Sequence, residues 1–347
     1  MRALVLTRHG EARRAFELRE LPDPVPADDE VLIETEFSGV NFADVMARLG
    51  LYPDAPALPC VLGYEVVGTI RSLGSQVGVL RSDLRVGQRV VALTRFGGYA
   101  SLACAKAIVV SEISQDTDGA EATAMATQGA TAYLAAEECA RLQAGERVLI
   151  HAAAGGVGLF LVQLAMRRGC EVFATAGSEE KLDLLREQFG VMNLINYRKS
   201  SFVREIQKAT SSLVPMNVVF DSIGGKVFSQ SRRLLAPGGR LVSFGVAEMT
   251  ASHPFRRLRA AWSALQFGWI HPLTLLDRSQ SVIGLNVLRV ADSQPERLVR
   301  AFAGIQSLVH SGEIQAHVGA CFPIREVGVA HELLASRQSV GKIALRW

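Results

Sequence analysis

The spacing of apolar residues changes character along the chain. From Met1 to about Asp118 short apolar runs are cut by Pro and Gly: "MRALVLT", "EVLIETEFSGV", "VVGTIRSLG", "QRVVALT" and "YASLACA". Runs of this kind predict strands separated by turns. One helix interrupts them, "NFADVMARLG", with Gly50 where a helix end favours glycine. Near Ala120 the texture turns Ala-rich and helical, in "AEATAMATQGATAYLAAEECA". Strand-then-helix units follow, with strands "RVLIHAA", "EVFATAG", "VMNLINY" and "NVVFDSIG" and helices starting near Gly156, Glu179, Ser201 and Lys226. A turn "APGG" leads into a further strand, "RLVSFGVA", and "SVIGLNV" is a candidate last strand. Alternating strand and helix periods predict a doubly wound parallel sheet. The tail carries the helices "PERLVRAFAGIQSLVHSG" and "VGVAHELLASR" and a final strand, "GKIALRW".

A β-rich beginning and the tail therefore flank a central α/β unit. The predicted boundaries are 1–120 with 285–347 for the first domain and 121–284 for the second. At 347 residues the chain is long enough for two such domains. Its composition, 49% hydrophobic and 20% charged, is that of a soluble globular protein. A net charge of +3 with scattered arginines gives no footprint for nucleic acid. The five cysteines are widely spaced and form no CxxC pair, which argues for free thiols in a reducing compartment. The apolar run at the N-terminus is too short for a signal peptide, and no stretch reaches an uncharged membrane-spanning length. A cytoplasmic location is expected, with no membrane partner. One segment stays open, "PFRRLRAAWSALQFGWIHP", where Leu258, Trp262, Leu265 and Trp269 recur at helical spacing behind Arg256, Arg257 and Arg259. It reads as a flap over a substrate cleft, a helix on an anionic membrane surface, or an ordinary packed insertion.

The candidate chemistry starts at "RVLIHAAAGGVGLFLVQLA". A dinucleotide loop uses one glycine for a tight turn, a second for approach to the pyrophosphate and a third for helix packing. Those places fall on Ala153, Gly155 and Gly158, with Gly156 added. Ala154, Gly155, Gly156 and Val157 are the expected pyrophosphate contacts, at a helix N-terminus that offers free N–H groups. An ordinary glycine turn would look the same from the loop alone. The second strand should end in an acid if the ribose 2′-hydroxyl is read. Here it ends "FATAGSEEK", with Ala176, Gly177 and Ser178 in place of the acid and Lys181 one turn on. A cation and a hydroxyl without the carboxylate suit a 2′-phosphate, and Tyr197 and Arg198 could close that pocket. NADPH is the expected cofactor; Lys181 as a plain solvated helix residue is the competing reading.

"GERVLIHAAAGGVGLFLVQLA", "FATAGSEEK" and "LLAPGGRLVSFG" together resemble the medium-chain dehydrogenase/reductase superfamily, across essentially the whole chain. "SGVNFADVMARLGLYP" is similar to its zinc-free quinone oxidoreductase branch. "AAWSALQFGWIHPLTLLDRSQSVIGLNV" resembles the vesicle amine transport protein-like subgroup, and the central segment also resembles enoyl reductase domains of polyketide synthases. The resemblance implies a GroES-like catalytic domain built from both chain ends, a Rossmann domain between them, and a homodimer joined along the Rossmann sheet edges.

It also assigns positions. In zinc-dependent members the metal ligands would fall on Asn41, Tyr64 and, nearby, Thr127, none of them a usual zinc ligand. Only Asp44 and Glu65, normally near the metal, remain. No metal is expected. Without a Lewis acid, an alkoxide is hard to stabilise. Hydride delivery to a quinone or enone is easier, because charge spreads through the π-system and a hydrogen-bond donor suffices. Asn41 is placed beside the nicotinamide and ribose, or caps the helix that follows. Tyr52 is placed to face the substrate and donate a proton, or packs in its Pro-flanked loop. Tyr64 either acts in the space left by the histidine or fills it. Thr131, Phe244, Gly245, Leu285 and Asn286 match segments around the nicotinamide, and Arg337 a cofactor contact or a helix C-terminal charge. Val246 stands where polyketide enoyl reductases carry a Lys, which counts against that reading. His151 reads as a packed strand residue, and the other histidines as incidental. The expected activity is NADPH-dependent reduction of a quinone or α,β-unsaturated carbonyl. The alternatives are an NADPH-binding regulatory protein with little turnover and a stand-alone enoyl reductase.

Overall fold

The computed structural model describes residues 1–250 and 265–347. The chain forms two units, Met1–Ala130 with Leu288–Ser307 and Ala316–Trp347, and Thr131–Val287 with Leu308–Gln315. The division thus falls inside the Ala-rich helical stretch, and a short piece of the tail joins the second unit.

In the first unit β1 (Arg2–Leu6), β2 (Phe16–Glu20) and β4 (Cys60–Val61) make a small sheet in the order β2-β1-β4. The larger sheet contains β3 (Glu30–Val40), β5 (Glu65–Leu73), β6 (Arg89–Leu93), β7 (Leu102–Lys106), β8 (Val110–Glu112), β15 (Val318–Pro323) and β16 (Lys342–Arg346). Its order is β15-β16-β3-β5-β6-β8, with β7 also on β3. β3 is the hub. Its first half pairs with β7, its end pairs with β16 from Phe37↔Arg346 to Val40↔Ile343, and it runs along β5 as far as Ser38↔Val66. That register brings Asn41, just beyond β3, to the same end of the sheet as Glu65 and Lys342, the first residues of β5 and β16. Alternating apolar residues pack the two faces. Val31, Ile33, Val66, Ile70, Val90 and Ala92 fill one cluster, and Leu6, Val40, Leu62, Tyr99, Ile343 and Leu345 another.

The Ala-rich stretch is not a uniform α-helix. It starts at Gly119, where the Asp118 carboxylate accepts from the N–H groups of Ala120 (2.8 Å) and Glu121 (3.0 Å). It then widens into π-helical turns at Met125–Gly129 and Leu134–Ala140. Such turns rotate the side chains that follow them, which 3.6-residue periodicity does not reveal.

The second unit is a parallel sheet of β9 (Arg147–Ile150), β10 (Glu171–Ala176), β11 (Asn193–Asn196), β12 (Met216–Asp221), β13 (Leu235–Ser243) and β14 (Ser281–Gly284). Its order, β11-β10-β9-β12-β13-β14, is the doubly wound order in which the winding reverses between β9 and β12. Helices Gly156–Arg167, Glu179–Glu187, Phe202–Thr210 and Gly225–Arg233 follow the expected strands. His151 is buried between Thr175 Oγ1 (3.1 Å) and Ser231 Oγ (2.8 Å), and burial lowers its pKa to about 3, so it is a neutral packing residue. β2, β8 and β15 carry weak sequence signals because they are short or half exposed. Most of the Trp- and Arg-containing segment, residues 251–264, lies outside the described residues. Among the described residues, no helix is long and apolar enough to cross a membrane. All five cysteines are free thiols.

Candidate functional site

The first unit buries a connected set of charges at the sheet end defined above. Glu65 and Lys342 are each fully buried and form an ion pair. Asn41 Nδ2 donates to both Glu65 oxygens at 2.8 Å, while Asn41 Oδ1 accepts from Lys342 Nζ at 3.0 Å. Thr127, in the π-helical turn, donates its hydroxyl to the same carboxylate. Gly39 makes room for the pair. A Cβ there would fall on the Glu65 carboxylate and lie 2.6 Å from Lys342 Cε.

Asn41 also begins the helix Phe42–Arg48, where its backbone N–H donates to Asp44 (2.9 Å). The other Asp44 oxygen accepts from the Gly63 N–H at 3.0 Å. Fully buried, Asp44 has its pKa raised to about 7, first by loss of water and next by the negative charge of Glu65. The capping reading of Asn41 holds, since its side chain and that of Asp44 form a capping box at the start of this helix. In the structure the amide is held by Glu65 and Lys342, and the position matched to a metal ligand carries part of an internal ion network.

An aromatic niche adjoins this network. Tyr64 is edge-on to Tyr52, with ring centroids 6.4 Å apart, and tilted against Phe96 at 5.3 Å. Tyr64 is 6% exposed, and its hydroxyl is buried near that of Tyr52 without a hydrogen-bond partner of good geometry. Loss of water, and next the charge of Asp44, raises the Tyr64 pKa far above its ordinary value. Tyr52 is also raised, by burial and by Asp54. Both are therefore neutral phenols that can donate. Ion pairs tie loops beside Tyr52 and Phe96 to the helix Val287–Ser293, Asp54 with Arg289 and Arg95 with Asp292.

The dinucleotide loop lies in the second unit. Its left-handed residue is Ala152 (φ 49°), one place before the missing glycine. Ala153 is fully buried in ordinary backbone, with its N–H on the Thr175 carbonyl at 3.1 Å, so the turn does not require glycine there. Gly155 caps the helix Gly156–Arg167 in extended backbone, with no side-chain hydrogen bond capping that N-terminus. Ala154 is buried, while Gly155, Gly156 and Val157 are partly exposed. At Gly158 a Cβ would meet the Ala152 carbonyl and lie 2.6 Å from the Ala153 carbonyl, the close packing reserved for the third glycine. These features fit a pyrophosphate.

At the end of β10, Gly177 is cradled. A Cβ there would lie 2.6 Å from Tyr197 Oη and 3.3 Å from Arg198 Nε. Ser178 starts the next helix, and Lys181 sits half-buried, its pKa lowered by loss of water and by the nearby Arg198 charge. Two neighbouring cations beside a bare backbone and a phenol have the chemistry to suit an anion. Phe244 hydrogen-bonds back to the Asp221 carbonyl (3.0 Å) and Leu285 to the Ser243 carbonyl (2.9 Å), so these segments extend from adjacent strand ends. Gly245 approaches the Ser222 backbone, where a Cβ would lie 2.8 Å from the carbonyl oxygen. Asn286 is exposed and Thr131 buried. Arg337 follows the helix Val327–Ala335 in the left-handed region (φ 61°).

Lys342 and Phe96 were not singled out by sequence reasoning. Gly39, inside the strand run "EFSGV", was the available signal, since a strand glycine often marks a close approach.

Two family models match the chain, Alcohol dehydrogenase GroES-like domain over residues 27–133 and Zinc-binding dehydrogenase over 156–296. An amide, a phenol and a threonine hydroxyl at the matched positions do not fit a catalytic zinc. Among the described residues, no group of His, Cys, Asp and Glu is arranged to hold a metal ion. The human synaptic vesicle membrane protein VAT-1 homolog is 32% identical, over 99% of this chain and 86% of that protein. The quinone oxidoreductase of Pseudomonas aeruginosa is 32% identical over 95% of each. The Escherichia coli quinone oxidoreductase, solved in complex with NADPH, superposes with a TM-score of 0.85 at 28% identity over 100% of both chains. With the GroES-like and Rossmann folds in hand, these likenesses show that the chain belongs to the medium-chain dehydrogenase/reductase superfamily, in its quinone oxidoreductase branch alongside the VAT-1 homologs.

Proposed function

We propose that the chain is an NADPH-dependent reductase of quinones or α,β-unsaturated carbonyl compounds. The cofactor assignment rests on the uncapped helix N-terminus at Gly156 and on the corner of Gly177, Ser178, Lys181, Tyr197 and Arg198, which suits a 2′-phosphate. When bound, NADPH supplies the hydride. Thr131, Phe244, Gly245, Leu285, Asn286 and Arg337 are the further proposed cofactor contacts.

One observation carries the choice of acceptor, namely the buried hydroxyl of Tyr64, which lies in an aromatic cluster near that of Tyr52 without a hydrogen bond of good geometry. Leaving a hydroxyl without a partner costs about 1–3 kcal/mol, which a space-filling Phe would avoid. A bound carbonyl oxygen would supply the partner. As negative charge grows on that oxygen, Tyr64 stabilises it by hydrogen bonding. Tyr52, more open to solvent, delivers the proton. Aromatic side chains around the Tyr64 hydroxyl favour a planar conjugated acceptor over a saturated alcohol.

The test is consumption of NADPH with a naphthoquinone, a 2-alkenal and an enoyl thioester, against an alcohol with NADP⁺. Turnover on the first two supports the reading. NADPH binding without turnover on any of them refutes it and leaves a binding protein. Turnover confined to the enoyl thioester transfers the chain to carrier-bound acyl substrates. We also propose a homodimer formed along β14, the outer strand of its sheet, with Leu265, Trp269, Leu273 and Leu276 exposed in the segment that precedes it in the chain. Sedimentation should give twice the chain mass, and a monomer at micromolar concentration would contradict it.

A further inference from the structure

The ammonium of Lys342 is engaged on every side. Besides the Glu65 carboxylate it reaches Asn41 Oδ1 at 3.0 Å and the Val40 carbonyl at 3.5 Å. Its three donors are used, so it has none left for a ligand and must act through its neighbours. A lysine only donates and a carboxylate only accepts. The Asn41 amide between them has one permitted orientation, Oδ1 toward Lys342 and Nδ2 toward Glu65.

Nδ2 lies 2.8 Å from both Glu65 oxygens. The two hydrogens of an amide nitrogen diverge, so one carboxylate can engage only one of them. The second points away from Glu65. Without the ammonium, Oδ1 would lose its charged partner and keep only the capping contact from the Asp44 backbone, and the fully buried carboxylate would stand uncompensated. Thr127 braces the same carboxylate, and β3 keeps Gly39 bare so that the pair can lie beneath it.

We propose that Lys342 is a positioning residue. Through Asn41 and Glu65 it locks the Asn41 amide in the orientation that presents its second Nδ2 hydrogen to an oxygen of the bound reactants. The inference rests on the reductase reading above and on the place beside the nicotinamide and ribose that the family resemblance gives Asn41. A role beyond packing accounts for the charged pair, because apolar residues in place of both Lys342 and Glu65 would fill the space without the cost of burying charge.

A double-mutant cycle tests it on the full chain, with K342M, N41A and the double variant. The readouts are kcat on 1,4-naphthoquinone and NADPH affinity by fluorescence. If Lys342 acts through Asn41, each single variant loses about 100-fold in kcat, the scale of a misplaced contact, and the double is no worse than the weaker single. Multiplying effects in the double, or a folded K342M within about twofold of wild type, would overturn the proposal.

Should K342M fail to fold, K342A is paired with n-propylammonium, which replaces the missing stem and charge. The amine is expected to raise the Tm of K342A and not of wild type, with tetramethylammonium at equal ionic strength inactive. No amine-specific rise would count against the proposal. A wild-type protein that binds NADPH but turns over no acceptor defeats the reductase reading instead. The cycle is then read on NADPH affinity, where the same non-additivity is expected and additivity refutes the role of Lys342.

Discussion

Replacing Lys181 and Arg198 with alanine should convert a protein selective for NADPH into one that hardly distinguishes it from NADH. The two cations are neighbours at the end of β10, and Lys181 gives up part of its proton affinity to burial and next to the Arg198 charge. A 2′-phosphate between them would relieve the repulsion and accept from both. A charge-assisted hydrogen bond contributes about 1.5–3 kcal/mol, and the lower end applies because the corner is partly open to water. Two such contacts amount to about 3 kcal/mol, or roughly 100-fold in Kd at 1.4 kcal/mol per tenfold. K181A alone should lose about tenfold. NADH has no 2′-phosphate, so its affinity should change by less than about threefold. Fluorescence titration of both nucleotides at fixed ionic strength measures this. Equal losses for the two nucleotides, or unchanged NADPH affinity in the double variant, would refute the assignment of the corner.

Gly39→Ala places a methyl group on the Glu65–Lys342 pair, and breaking a buried pair costs about 3 kcal/mol or more. Its denaturant midpoint should drop accordingly, and a wild-type midpoint would mean the pair has room to move. Tyr64→Phe separates filling from chemistry. It should gain about 1 kcal/mol in stability by removing an unpartnered hydroxyl, yet lose about 100-fold in kcat/KM for the acceptor with NADPH affinity unchanged. Full activity in that variant would reduce Tyr64 to packing, and full activity in Tyr52→Phe would remove Tyr52 as the proton donor. His151 titrates at about 3 when folded and near its ordinary value of about 6.5 when unfolded. The unfolded chain therefore binds the extra proton between those values. That stability is present above about pH 6.5 and is lost at about 1.4 kcal/mol per pH unit as the pH falls toward 3. Asp44 and Asp221, raised to about 7 and about 6, work in the opposite direction over part of that window. His151→Gln should flatten the acid slope by that one group's share, and an unchanged slope would mean His151 does not titrate on unfolding.

The second unit was largely legible because its signals are local. Strand, glycine turn and helix lie within one stretch, and "AGSEEK" carries both the missing acid and Lys181. The turn still held a surprise. Ala153 reads as a lost glycine, but the left-handed residue is Ala152, a distinction that lies in backbone angles alone. The first unit was legible as strands and opaque as a site. Lys342 opens a strand-like run and looks like a solvated edge residue, yet it pairs with Glu65 across 277 positions because β16 and β5 both flank β3. Only strand register creates that contact. The π-helical turn that carries Thr127 to the same carboxylate is likewise invisible to a 3.6-residue pattern.

The central claim is hydride delivery to a conjugated acceptor. Its most direct test is anaerobic incubation of the protein with a 2-alkenal and NADPH carrying deuterium at nicotinamide C4, each face labelled in turn. The product should be the saturated aldehyde with deuterium on its β-carbon from one labelled face only. Deuterium at C1 of an allylic alcohol, or no transfer from either face, would contradict the account.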